Sequence, residues 1–156
     1  ILFDKIISIC CGSCHSVALT KNKTYIWGWN YDGQLGLGDI IDKYLPQELT
    51  SLVGIVSISC GSSHTIALTS SGRLYSWGNN DHGQLGLSDK IVRFVPSEIY
   101  FKYVIKFESI HCGVYHTIIN TPHNRIYSWG HNKYGQLGLG DKHNRCSPHE
   151  LSFPNM

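Results

Sequence analysis

The sequence predicts an all-β chain built from three four-stranded, antiparallel β-propeller blades, and three observations carry that reading. First, one unit of about fifty residues occurs three times, so the architecture is a repeat. Its frame runs Cys60-Gly-Ser-Ser-His, Tyr75-Ser-Trp-Gly, Gly83-Gln-Leu-Gly-Leu and Pro96-Ser-Glu-Ile, and recurs from Cys11 and from Cys112. Second, Trp27, Trp77 and Trp129 step by 50 and then 52 residues, a nearly constant spacing. Third, each unit holds four short strand patterns and no helical periodicity, which suits a propeller blade and excludes a helical solenoid. The units are drawn as residues 1–51, 52–102 and 103–156, each burying its faces only against its neighbours.

Within a unit the elements follow in order. The opening stretch (Ile6-Ile-Ser-Ile-Cys-Cys, Ile55-Val-Ser-Ile-Ser-Cys, Phe107-Glu-Ser-Ile-His-Cys) is rich in β-branched residues and reads as a strand. Gly12, Gly61 and Gly113 then start a turn. The second stretch, His15-Ser-Val-Ala-Leu-Thr and its equivalents from His64 and His116, has a short, continuous apolar run, as in a strand covered on both sides. A turn leads to a third strand ending in Tyr-x-Trp-Gly, where alternation puts tyrosine and tryptophan on one face. The Gly-Gln-Leu-Gly-Leu segment reads as a tight loop: the leucine plugs the core and the glutamine amide ties down backbone. The last element follows Pro46, Pro96 or Pro148, where proline fits an edge strand or a strand's first residue.

Composition narrows the class. Charged residues make up 15% of the 156, which fits buried strands rather than a disordered segment. A net charge of +2 is too mild for nucleic-acid binding by electrostatics alone. There is no secretory start and no apolar run long enough to span a bilayer, so no membrane partner is expected. Of six cysteines, Cys11, Cys60 and Cys112 form one column of the repeat, which reads as packing. Cys10, Cys14 and Cys146 are unmatched, and a reducing intracellular setting, nuclear or cytoplasmic, is expected. The chain opens at Ile1-Leu-Phe and enters the first unit almost at once, as a piece of a longer protein would.

Several motifs are weighed against the repeat. Cys11-Gly-Ser-Cys-His15 has the spacing of c-type haem attachment and contains a redox-type pair. Its equivalents keep the first cysteine and the histidine but carry Ser63 and Tyr115 where Cys14 stands, so the motif reads as structural and no cofactor is expected. His15, His64 and His116 occur one per blade, too far apart to meet at a zinc ion, which needs four ligands at about 2.0–2.3 Å. They read as hydrogen-bonded structural histidines. No Gly-x-Ser-x-Gly elbow, Walker-type loop or His-Glu-x-x-His is present, so neither catalytic residues nor an enzyme activity are expected.

Specificity is expected in the columns that vary, since repeat proteins hold the frame and change the loops. Trp29 shares its column with Asn79 and His131 and is a candidate contact residue. Lys43, Arg93 and Arg145 each precede the proline by three residues. With Lys90 and Lys142 they are expected to form an arc of cations on one rim, suited to an acidic partner surface or to nucleic-acid phosphates. The plainer reading is a solvated loop, because Asp39, Asp42, Asp89 and Asp141 are interspersed.

The repeat resembles that of the regulator of chromosome condensation family, whose units are similar in Cys-Gly-x-x-His, Tyr-x-Trp-Gly-x-Asn and Gly-Gln-Leu-Gly. The resemblance covers all three units and implies a seven-bladed propeller. Three blades cannot close a ring, so either further blades complete it or two copies associate. Exposed end blades are expected to promote self-association. A plant photoreceptor of this family senses ultraviolet-B light through tryptophans lying partly in Gly-Trp-Arg-His-Thr segments; the matching positions here hold no such tryptophan. The resemblance implies a non-enzymatic protein-binding module, a recruitment scaffold like the repeats appended to kinases, ubiquitin ligases and trafficking proteins. The alternative it implies is guanine nucleotide exchange on a Ran-type small GTPase together with chromatin binding, the one route by which nucleic acid enters.

Overall fold

The computed structural model describes residues 5–101 and 106–153; the boundary drawn at 102/103 and the opening Ile1-Leu-Phe lie outside them. Strands β1 (Ile6–Cys11), β2 (His15–Thr20), β3 (Thr24–Gly28) and β4 (Lys43–Glu48) form one antiparallel meander, blade one. Blade two consists of β5 (Ile55–Cys60), β6 (His64–Thr69), β7 (Leu74–Gly78) and β8 (Arg93–Ile99). Blade three consists of β9 (Ser109–Cys112), β10 (His116–Asn120), β11 (Ile126–Gly130) and β12 (Arg145–Glu150). The chain is therefore all-β among the described residues, with three four-stranded antiparallel sheets standing as propeller blades. β1 lies against β5 and β5 against β9, so the first strand of each blade is its inner edge and β4, β8 and β12 are the outer edges.

The core sits between blades rather than within them. Val17, Leu19 and Ile26 of blade one pack with Ile55, Ile58, Ala67 and Trp77 of blade two. Ile66, Leu68 and Leu74 on the other face of blade two pack with Ile110, Ile119 and Trp129 of blade three. Alternation along β6 thus sends Ala67 to one interface and Ile66 and Leu68 to the other, which is why its apolar run is unbroken.

Three details differ from the sequence reading. Pro46, Pro96 and Pro148 lie inside the outer strands, which start earlier, at Lys43, Arg93 and Arg145 paired with Gly28, Gly78 and Gly130. The register shifts between these glycine pairs and the rest of each ladder. An outer edge needs no donor from proline on its open side, so the edge-strand half of the expectation stands. β9 begins at Ser109, two residues later than its pattern. The cysteine column is not uniform packing either. Cys60 is bridged to Cys10 of the preceding blade, Cys11 is exposed, and burial pushes the Cys112 thiol up to about 12.

Candidate functional site

What the three blades share is consumed by holding them together. His15 Nε2 lies 3.0 Å from Thr65 Oγ1 of blade two, and that hydroxyl donates to the Gln34 carbonyl at 3.0 Å. Because the threonine proton is committed there, Thr65 accepts from His15, which fixes the Nε2–H tautomer. The same carbonyl accepts from Trp77 Nε1 at 2.9 Å. One join later the pattern repeats: His64 to Thr117 at 3.3 Å, Thr117 to the Gln84 carbonyl at 3.0 Å, Trp129 to the same carbonyl at 2.9 Å. Burial lowers the pKa of His15 to about 4 and of His64 to about 3, so both are neutral imidazoles at physiological pH. A Cβ at Gly12 would lie 2.3 Å from His15 Nδ1, and one at Gly36, whose φ is +66°, would lie 2.7 Å from Trp77 Nε1. Both approaches need glycine. The histidine and tryptophan columns are thus an inter-blade clasp, as structural as the sequence suggested.

The Gly-Gln-Leu-Gly loops are pinned in the same spirit. Leu35, Leu85 and Leu137 are fully buried, and Gln34, Gln84 and Gln136 accept the Asp32, His82 and Tyr134 N–H groups through Oε1. Asn30, Asn80 and Asn132 receive the leucine N–H and donate to Asp39, Asp89 and Asp141. Each aspartate also binds the cation four residues on: Lys43 at 2.8 Å, Arg93 at 2.6 Å and Arg145 at 2.5 Å. The Lys43 ammonium holds the Asp39 carboxyl below its ordinary value, and the His143 N–H and Arg145 guanidinium do the same for Asp141. Lys43, Arg93 and Arg145 therefore spend their charge inside their own blades. Lys90 and Lys142 are exposed and enter no ion pair among the described residues.

In an antiparallel meander the first-to-second and third-to-fourth strand connections emerge at the same end. That face carries the varying column of Trp29, Asn79 and His131. Trp29, 39% exposed, stacks on Tyr31 with centroids 5.9 Å apart and planes 10° apart. From blades two and three, His82 meets Tyr115 at 5.1 Å and His131 at 4.6 Å, and Tyr134 closes the group at 6.1 Å from His131. Between blades one and two these loops border a cleft of about 450 Å³, lined among others by Trp29, Asp32, Asn79, Asp81, His82 and Tyr115. Sequence reasoning singles out Trp29 in a varying loop whose equivalents hold Asn79 and His131, and it misses Tyr115. The signal was the same column variation, since Tyr115 occupies the place of Cys14 and Ser63.

Comparison with known proteins follows these motifs. The pattern of the Regulator of chromosome condensation (RCC1) repeat matches residues 6–34, 55–84 and 107–136, and a longer form of it matches 21–68, 71–119 and 123–156. The chain is 38% identical over 150 residues to the Ultraviolet-B receptor UVR8 of Arabidopsis thaliana, covering 94% of this chain and 34% of that protein. It is 40% identical over 149 residues to the Probable E3 ubiquitin-protein ligase HERC4 of Homo sapiens, covering 94% of this chain and 9% of that one. Prp20p from Saccharomyces cerevisiae, studied in its crystal structure for binding to Gsp1p and histones, superposes with a TM-score of 0.82 at 28% identity. That match covers 95% of this chain and 38% of Prp20p. The chain thus spans well under half of each of these relatives. Three matched repeats, the inter-blade clasp they build and the propeller arrangement together make this chain a member of the Regulator of chromosome condensation (RCC1) repeat family.

Proposed function

We propose that this chain is a non-enzymatic recruitment module that offers one loop face to a partner protein and serves as part of a longer protein, inside the cell in nucleus or cytoplasm. One observation carries the reading. The histidine, threonine and glutamine groups common to the blades are buried and bonded to one another. At the end where the first-to-second and third-to-fourth connections emerge, by contrast, an exposed tryptophan, a tyrosine and two aspartates that differ between blades line one cleft. Neither aspartate enters an ion pair among the described residues. Trp29 is the anchor of that face, and Lys90 and Lys142 supply positive charge for acidic partner groups at its rim. Lys43, Arg93 and Arg145 act beside them by bracing the loops. A matched segment amounting to 9% of a probable ubiquitin ligase supports the idea of a propeller carried by a larger protein.

Photo-crosslinking tests this. A benzoyl-phenylalanine placed at Trp29 should yield a discrete partner adduct, and one placed at Tyr44, 92% exposed on outer strand β4, should not. Equal yields from both positions contradict the reading. A second reading, nucleotide exchange on a Ran-type GTPase with chromatin binding, draws on the likeness to Prp20p and its binding to Gsp1p and histones. Acceleration of GDP release from such a GTPase by this chain would favour it; an unchanged release rate leaves recruitment.

A further inference from the structure

The cleft between blades one and two breaks the frame at a single atom. Gln84 Nε2 donates to Asn79 Oδ1 at 2.6 Å, and Gln136 Nε2 meets His131 Nδ1 at 2.8 Å. Gln34 has Trp29 in that column, which offers no acceptor, and its Nε2 is buried without a hydrogen bond among the described residues. The Asp32 N–H on Oε1, at 3.0 Å, sets the amide's orientation. Its Nε2 is therefore directed, as in the other two blades, toward the column that Trp29 fills. A buried donor left unpaired is costly, so Trp29 stands in that column against the interest of the frame.

The same cleft carries unspent negative charge. Asp39, Asp89 and Asp141, like Glu48, Glu98 and Glu150, are each paired with a cation of their own blade. Asp32 and Asp81 enter no ion pair among the described residues; Asp81 Oδ2 accepts only the Asn79 amide, at 3.0 Å. Around these carboxylates stand the exposed Trp29 and Tyr115 rings, and aromatic faces attract cations. His82 shares the cleft, and burial, then the neighbouring His131, lowers its pKa.

We propose that this cleft receives a lysine or arginine side chain from an extended segment of the partner protein. The cation lies over the Trp29 ring and against Asp32 and Asp81, and the buried Gln34 Nε2 marks Trp29 as the residue that departs from the frame there. An acidic segment would meet the two carboxylates inside the cleft, with Lys90 near His82 at its rim as the opposing charge, and a purely apolar one would bury two carboxylates without compensation. The inference rests on the recruitment reading and adds the chemistry of the partner.

The test uses the 156-residue chain and two short serine–glycine peptides, one carrying adjacent arginines and the other glutamates in their place. The indole N–H resonance of Trp29, assigned with Trp29→Phe, reports on the cleft. The arginine peptide should shift it and the amides of Asp32 and Asp81, and the glutamate peptide should not. The double variant Asp32→Asn, Asp81→Asn should bind the arginine peptide about tenfold more weakly. Its own spectrum should otherwise match the parent, since asparagine keeps the shape. Equal shifts from both peptides, no shift from either, or undiminished binding by the double variant overturns the proposal. A partner crosslinked through position 29 that binds the double variant at full strength sinks the cationic occupant alone and leaves recruitment standing. No adduct at position 29 sinks recruitment itself.

Discussion

Blade two has a neighbour on each side, whereas in the structure blade one has a neighbour on one side, and their frames match almost residue for residue. Trp77 and His64 are wholly buried, yet Trp27 is only half-buried. Ile55 and Ile58 on β5 are covered, while their equivalents Ile6 and Ile9 on β1 are 53% and 64% exposed. The difference teaches that a blade's core is not its own. Each frame residue is one half of a contact completed by the next unit, as expected of stacked repeats.

The largest effect that follows concerns the tryptophan column. Trp77→Ala removes a buried indole and its bond to the Gln34 carbonyl, and should cost about 3–5 kcal/mol. Trp27→Ala removes a half-buried ring and should cost markedly less. Denaturant unfolding of the two variants measures the gap, and equal losses would break the comparison.

The histidines sharpen it. In the folded chain His15 and His64 hold pKa values of about 4 and about 3, below the ordinary 6.5, so the unfolded chain takes up protons first as pH falls. Stability should be intact above about pH 6.5 and decline between there and pH 4 to 3. The expected loss is on the order of 3 kcal/mol for His15 and larger, about 3–5 kcal/mol, for His64. His116, only half-buried, is lowered by burial as well, but its ring has no threonine partner among the described residues. It should titrate before the other two in an NMR pH series. Three superimposed titrations would contradict the clasp.

Much of this was legible because each unit comments on the others. Ser63 and Tyr115 in the place of Cys14 dismiss a haem motif, and the spacing of Trp27, Trp77 and Trp129 gives the blade count. The residue pattern of the repeat supplied strands and turns, and its one histidine per blade pointed to a structural role. Two kinds of fact stayed hidden. The specific pairing within a loop is one: the interspersed aspartates were visible, but not that Asp39, Asp89 and Asp141 each brace the cation four residues on, Lys43, Arg93 and Arg145. Convergence is the other. Trp29, Asp81 and Tyr115 come from three different blades, and only the stacking of loops at one end brings them to a single cleft. The Cys10–Cys60 bridge is of the same kind, because the two cysteines are not in matching columns.

Trp29→Asn tests the central claim most directly, because it writes the blade-two residue into blade one. The side-chain amide of asparagine gives Gln34 Nε2 the acceptor that Asn79 gives Gln84. The account predicts a Tm equal to or slightly above the parent's, from a gain of up to about 1 kcal/mol, together with loss of the arginine-peptide shifts at Asp32 and Asp81. A fall in Tm like that of Trp77→Ala, with peptide binding retained, would make Trp29 one more frame residue and contradict the account.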